Sequence, residues 1–255
     1  MGPVGCHAIR LPFTYIGLMQ ALGRYHKIDA TRVGSREGIS IYDPFDRAIN
    51  VNPNYGRMRF SDQEKKEISI AVGVLTLAFS FILFRGPAII NVAVLNYLVY
   101  LMISFLLVLS GFMLHELAHK FMAQRYGAWA EFRMFPSGLM MALVLSMLGF
   151  LFAAPGAVYI QGRITEEQNG LISSAGPATN IVFGAISLLA AWMVGSGVLA
   201  YVLLLLANIN VFLGLFNLIP VHPLDGSKIF SWNPVAYLIL AASGGFMLLM
   251  IYGVI

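Results

Sequence analysis

Charge is scarce in this sequence. Only 11% of the 255 residues are Asp, Glu, Lys or Arg, while 58% are hydrophobic and the mean hydropathy is +0.77. Soluble domains carry roughly a quarter charged residues, so a water-solvated body is excluded and lipid is the implied solvent. The few charges are also unevenly placed: 17 of 28 fall in positions 1–67, leaving 11 for the other 188 residues. Cysteine is nearly absent. Cys6 stands alone, which excludes an intramolecular disulfide and a cysteine-rich metal site. The net charge of +4 does not point to nucleic acid, because the basic residues flank apolar stretches as the positive-inside rule expects. A signal peptide is not evident either. Residues 11–23 are short, contain Pro12 and lack a small-residue cleavage site, so the first transmembrane helix is expected to act as the targeting signal.

What is present divides the chain at about residue 65. Residues 1–65 read as a polar, irregular N-terminal extension, with Ser35-Arg36-Glu37-Gly38, Asp43-Pro44 and Asn52-Pro53-Asn54 as breakers. A small cytosolic cap, a poorly ordered segment and a start codon assigned too early, ahead of Met58, all fit this composition. Residues 66–255 form the membrane-embedded domain. A hydrocarbon core of about 30 Å needs about 20 apolar residues in a helix. Suitable stretches are 68–85, 92–126, 171–195, 199–219 and 233–254, with a further apolar run at 138–156. The second outlasts a bilayer, and its end from Lys120 to Arg125 is expected to reach an aqueous edge. Short strand-like runs, Ala130–Phe135 and Ala157–Gln161, flank the 138–156 segment. The expected fold is therefore a polytopic α-helical membrane protein of about five transmembrane helices plus a re-entrant or edge-inserted β-like element.

Within the second span lies His115-Glu116-Leu117-Ala118-His119. On a helix, positions i and i+4 share a face, so two imidazoles can grip one Zn²⁺ while Glu116 reaches a water as general base. A bound zinc lowers the pKa of that water to about 7 and polarises a carbonyl. Ionisable residues inside a membrane helix cost about 2.5–3.5 kcal/mol each at its centre, which argues against an idle role. Catalytic zinc takes three protein ligands and keeps one position open. After residue 67 the remaining acidic residues are Glu131, Glu166, Glu167 and Asp225, and the only further histidine is His222. The three glutamates sit in polar company and are expected to be solvated. Asp225 follows a long apolar span where Pro220, Pro223 and Gly226 break the helix, and irregular backbone at membrane depth needs a protein- or water-lined site. Asp225 is the favoured third ligand and His222 its competitor.

The HExxH motif in a membrane helix is followed about a hundred residues later by Asn217-Leu218-Ile219-Pro220-Val221-His222-Pro223-Leu224-Asp225-Gly226. Together they resemble the site-2 protease family of intramembrane zinc metalloproteases, in its prokaryotic form without a PDZ domain. Gly176-Pro177-Ala178-Thr179-Asn180 resembles the family's Gly-Pro-x-x-Asn element. The likeness covers roughly residues 66–230. It implies one Zn²⁺ per chain held by His115, His119 and Asp225, with Glu116 as catalytic base. It further implies that Asn180 holds substrate or polarises the scissile carbonyl, and that Asn210 and Asn217 contact the metal ligands or the substrate strand. Two departures stand out: Ser227 follows Gly226 where the family commonly has a second glycine, and no PDZ-like insertion separates the motifs.

Charge flanking the spans sets an expected orientation. Arg57, Arg59, Lys65 and Lys66 precede the first span, and Lys120, Arg125 and Arg133 follow the second, against Arg85 alone between them; this places the N-terminus and the metal motif toward the cytoplasm. Parity then constrains the 138–156 segment. Were it to cross fully, the next two spans would leave Asp225 on the far side from the histidines, so it is expected to dip in and return, turning at Gly138, Gly149, Pro155 and Gly156. A strand edge beside the metal would let an unwound substrate pair in extended form, although packing alone also explains the element. The implied activity is cleavage of transmembrane protein substrates in the lipid bilayer of a prokaryotic cell membrane, with no nucleic acid partner. The competing readings are a divalent-metal transporter and a catalytically silent membrane zinc protein. A transport path needs polar groups distributed through the depth, whereas here they gather at one level.

Overall fold

The computed structural model describes residues 39–42, 48–51, 58–83, 94–150 and 153–253, with backbone alone for 39–42, 48–51 and 94–96. The chain divides into two units, Met1–Pro53 and Asn54–Ile255. In the first, strands β1 (Ile39–Tyr42) and β2 (Ala48–Val51) pair antiparallel, Ile39 opposite Val51 and Tyr42 opposite Ala48. The rest of the expected 1–65 extension up to residue 57 lies outside the described residues, as do Arg57 and Arg85 of the orientation argument.

The second unit carries the membrane helices. Helix α1 (Asp62–Leu83) opens on Ser61, whose Oγ accepts the Glu64 amide at 3.1 Å as an N-cap. Helix α2 (Val94–Val108) runs through a π-turn at Leu109–Met113 directly into α3 (Leu114–Arg125), making one apolar rod from Tyr97 to Arg125. Helix α5 (Glu166–Val194) starts at a capping box: Thr165 Oγ1 accepts the Gln168 amide, the Gln168 side chain accepts the Thr165 amide, and Glu166 and Glu167 complement the helix dipole. Helix α6 is Val198–Asn217. A short α7 (Asp225–Trp232) follows a turn segment, and α8 (Pro234–Ile251) begins with Asn233 accepting two amides and Pro234 in the first turn. Five helical stretches are thus long and apolar enough to cross a bilayer, at 62–83, 97–125, 166–194, 198–217 and 234–251. Their outward faces are apolar, as Met193, Val198 and Ile239 illustrate. The fold is a polytopic α-helical membrane protein.

Between α3 and α5 the chain forms strand β3 (Trp129–Met134), helix α4 (Pro136–Met147) and strand β4 (Gly156–Gln161). The strands pair antiparallel, Trp129 opposite Gln161 and Met134 opposite Gly156, and the Phe135 amide donates to Pro155 O at 2.9 Å. The excursion therefore leaves and returns at one level. At 12 residues α4 spans about 18 Å, too little for a hydrocarbon core of about 30 Å. The apolar 138–156 run is an inserted element, as parity required. It is seated by a cluster in which Phe132, Leu139 and Ala142 pack against Ala71, Val72 and Leu75 of α1 and Met113 of the π-turn.

Two sequence expectations are overturned here. Lys120 does not reach an aqueous edge; it is wholly buried, and its ammonium holds both oxygens of the equally buried Glu64 at 2.7 and 2.8 Å. Glu131 is not solvated either: it is buried, paired with Arg133 and bonded by Ser61 Oγ at 3.1 Å. Both errors have one cause. A charge beside a membrane helix reads as solvent-facing until a polar partner far along the chain, Glu64 for Lys120 and Ser61 for Glu131, is known to meet it. Glu166 and Glu167 are exposed, as expected.

Candidate metal centre

The π-turn at Leu109–Met113 is where the site begins. It widens the helix by one residue per turn just ahead of His115, a feature that frequently marks functional positions. Beyond it, His115 and His119 sit one turn apart on the buried face of α3. Asp225 comes from the first turn of α7, whose approach depends on Gly226: a Cβ there would lie 2.1 Å from Leu218 O. The result is a convergent set. His115 Nε2 and His119 Nε2 are 3.0 Å apart, and Asp225 Oδ2 lies 3.4 and 3.1 Å from them.

Those spacings fit a tetrahedral zinc. Bonds of about 2.0–2.1 Å at tetrahedral angles place ligand atoms roughly 3.3 Å apart. The tautomers fit as well. Ile172 O can only accept, so His119 Nδ1, 2.7 Å away, must carry the proton and Nε2 the lone pair. At His115 the argument is longer. Asn210 Nδ2 donates to Ser110 Oγ at 2.9 Å and Leu206 O at 2.9 Å, which fixes its Oδ1 as an acceptor for Asn180 Nδ2 at 3.0 Å. Asn180 Nδ2 also donates to Gly111 O at 2.8 Å, leaving Asn180 Oδ1 to accept from His115 Nδ1. Both Nε2 lone pairs then face each other and a carboxylate, an arrangement that is repulsive until a cation joins it. Outer hydrogen bonds of this kind orient metal-binding imidazoles and raise their basicity.

Room for an ion is kept by Gly176 on α5. A Cβ built there would lie 2.4 Å from His119 Nε2 and 2.6 Å from His115 Nε2, so any side chain would enter the space between the ligand atoms. The Gly-Pro-x-x-Asn element thus supplies clearance at its glycine and an imidazole partner at its asparagine. Glu116 is half-buried, and its Oε2 accepts the amide of Val158 on β4 at 3.0 Å.

The structure brings His115, His119 and Asp225 together and sets Glu116 on the same helix between the two histidines. His222 stays outside the cluster, exposed, with Nδ1 3.3 Å from Ser227 Oγ. Asn180 and Asn210 are wholly buried behind His115, with every amide hydrogen bond just described directed into the protein. The resemblance had pointed Asn180 at substrate; its place in the structure is on the imidazole. Asn217 is half-buried and its Nδ2 donates to Leu213 O within its own helix. Sequence reasoning passed over Ser110, which gave no signal beyond a small polar residue in an apolar helix. It also passed over Gly176 as a clearance position and Lys228, whose Nζ is 3.8 Å from Asp225 Oδ1.

Two buried histidines and a half-buried aspartate that could hold a metal ion, with a neighbouring glutamate, sit among membrane-length helices, the arrangement of a membrane metalloprotein. Curated relatives agree. The chain is 38% identical over 198 residues, 76% of its own length and 97% of the relative's, to "Putative zinc metalloprotease MJ0611" of Methanocaldococcus jannaschii. It is 30% identical over 156 residues to "Zinc metalloprotease MJ0392" of the same organism, covering 61% of this chain and 41% of that one. It is 32% identical over 127 residues to "Putative zinc metalloprotease Rip3" of Mycobacterium tuberculosis, covering 48% and 28%. No protein-family profile and no solved structure matches the chain. The chain belongs to the site-2 protease family of zinc metalloproteases. It is a membrane protein and a zinc metalloprotease.

Proposed function

We propose that this metalloprotease hydrolyses a peptide bond of transmembrane protein substrates within or at the edge of the bilayer, with one zinc per chain and Glu116 as general base. The carrying observation is the position of Glu116. Its Oε2 is held by the Val158 amide, while Oε1 has no hydrogen-bond partner among the described residues and is available to take a proton from water. His115, His119 and Asp225 would hold the metal, with His115 oriented by Asn180 and His119 by the Ile172 carbonyl. Zinc bound there supplies the Lewis acidity that acidifies water and polarises a carbonyl.

Substrate presentation follows from the same strand. A transmembrane helix hides its peptide bonds in i→i−4 hydrogen bonds and must unwind before it can be cut. Among the described residues strand β4 pairs with β3 on one side only, so its other edge, the one that meets Glu116, can receive an extended segment by strand addition. Arg59 just before α1, Lys65 and Lys66 in its first two turns and Arg125 at the end of α3 support a multi-pass topology in a prokaryotic cell membrane with the site toward the cytoplasm.

The test is zinc content and cleavage of a reporter transmembrane substrate in detergent. Near one zinc per chain with chelator-sensitive cutting is expected. Zinc flux into sealed proteoliposomes without cutting would replace this reading with transport.

A further inference from the structure

The two edges of the β3–β4 pair are treated differently. On β3 two outward carbonyls have side-chain partners: Ala130 O accepts from Lys120 Nζ at 2.8 Å and Gln124 Nε2 at 3.0 Å, and Phe132 O from Arg133 Nη1 at 3.3 Å. Two outward amides are capped by two carboxylates one turn apart on α1. Phe132 N donates to Glu64 Oε1 at 2.8 Å and Met134 N to Glu67 Oε2 at 2.9 Å. On the outward edge of β4, formed by Gly156, Val158 and Ile160, the Val158 amide is engaged by Glu116, and no second side-chain partner is found for this edge among the described residues. An exposed strand edge pairs with any extended chain that reaches it.

Lys120 links the cap to the metal helix. It directly follows His119, lies fully buried against Glu64, and sits 4.7 Å from the centre of the Phe60 ring. A buried ion pair is a weak source of stability compared with apolar packing of the same volume, so its retention suits a device that fixes register. We propose that Glu64, with Glu67, is a positioning residue: it closes the β3 edge, so that an extended substrate can add only to β4, beside Glu116. This rests on the strand-addition reading above.

Two double variants separate the cap from the ion pair. Glu64→Gln with Lys120→Met removes both charges and keeps an acceptor for the Phe132 amide. Glu64→Leu with Lys120→Met removes the charges and the acceptor together. Both are made in a Cys6→Ser background and checked for bound zinc. A reporter substrate with one cysteine near its scissile bond is cross-linked to Val158→Cys on β4 or to Met134→Cys on β3, both half-buried positions. The Gln variant is expected to match the parent, with cross-links at β4 alone. In the Leu variant, amide exchange across 129–134 should rise about tenfold or more, cross-links should appear at β3, and KM should rise severalfold with kcat little changed. A Leu variant indistinguishable from the Gln variant in exchange and cross-linking overturns the proposal. Absence of any β4 cross-link in the parent would instead overturn strand addition itself.

Discussion

Glu116 on α3 and Val158 on β4 are joined by a hydrogen bond of 3.0 Å from the Val158 amide to Glu116 Oε2. Through it the inserted sheet is registered to the metal helix, and one carboxylate oxygen is committed to the backbone while the other has no hydrogen-bond partner among the described residues. Glu116→Gln can retain the Val158 bond through its carbonyl oxygen but has no basic oxygen left. Cleavage is expected to fall by about 10²–10⁴ or more, with zinc content unchanged by elemental analysis. Full zinc with near-normal cutting in this variant would remove Glu116 from its role as base.

Asn180 is expected to matter through His115. Asn180→Leu removes the acceptor for His115 Nδ1 and both donations to Gly111 O and Asn210 Oδ1. Loss of such an outer partner typically costs 10–100-fold in metal affinity or activity. Chelator competition should therefore show zinc held more weakly, and added zinc should restore part of the activity. An Asn180→Leu protein with unchanged zinc affinity and a raised KM alone would return Asn180 to the substrate.

Gly176→Ala is a test of clearance. The added Cβ would stand closer than van der Waals contact to both Nε2 atoms, from a helix held by its own neighbours. Zinc stoichiometry is expected to drop well below one per chain while the protein stays folded. Asp225→Ala should also lose zinc, but by removing a ligand, so millimolar zinc should rescue it more readily than the alanine at 176. Equal zinc content in wild type and Gly176→Ala would refute the clearance argument.

The spans were legible because hydrocarbon imposes a length that composition alone reports, and the histidines because helical spacing puts i and i+4 on one face. Asp225 was legible because ionisable residues are so few after residue 67. The partners of those residues were not. The contacts of Glu64 with Lys120 and of Asn180 with His115 join positions 56 and 65 residues apart, and no local pattern announces such pairs. Nor does apolar periodicity announce a π-turn, which follows from tertiary packing and from the Asn180 amide reaching the Gly111 carbonyl.

Insertion without crossing gives the last prediction. Met147 ends α4 and is exposed, and Phe135 and Pro155 at the two roots of the excursion share a hydrogen bond. In a Cys6→Ser background, Met147→Cys in sealed inverted and right-side-out vesicles should be modified by an impermeant maleimide no faster from the outer side than from the cytoplasmic side. Blocking by the bilayer, with slow labelling from either side, fits an α4 that stops within the hydrocarbon. Rapid labelling only from outside would mean that the segment crosses fully. Parity would then set Asp225 opposite the histidines, which the 3.1 Å approach of Asp225 Oδ2 to His119 Nε2 does not allow.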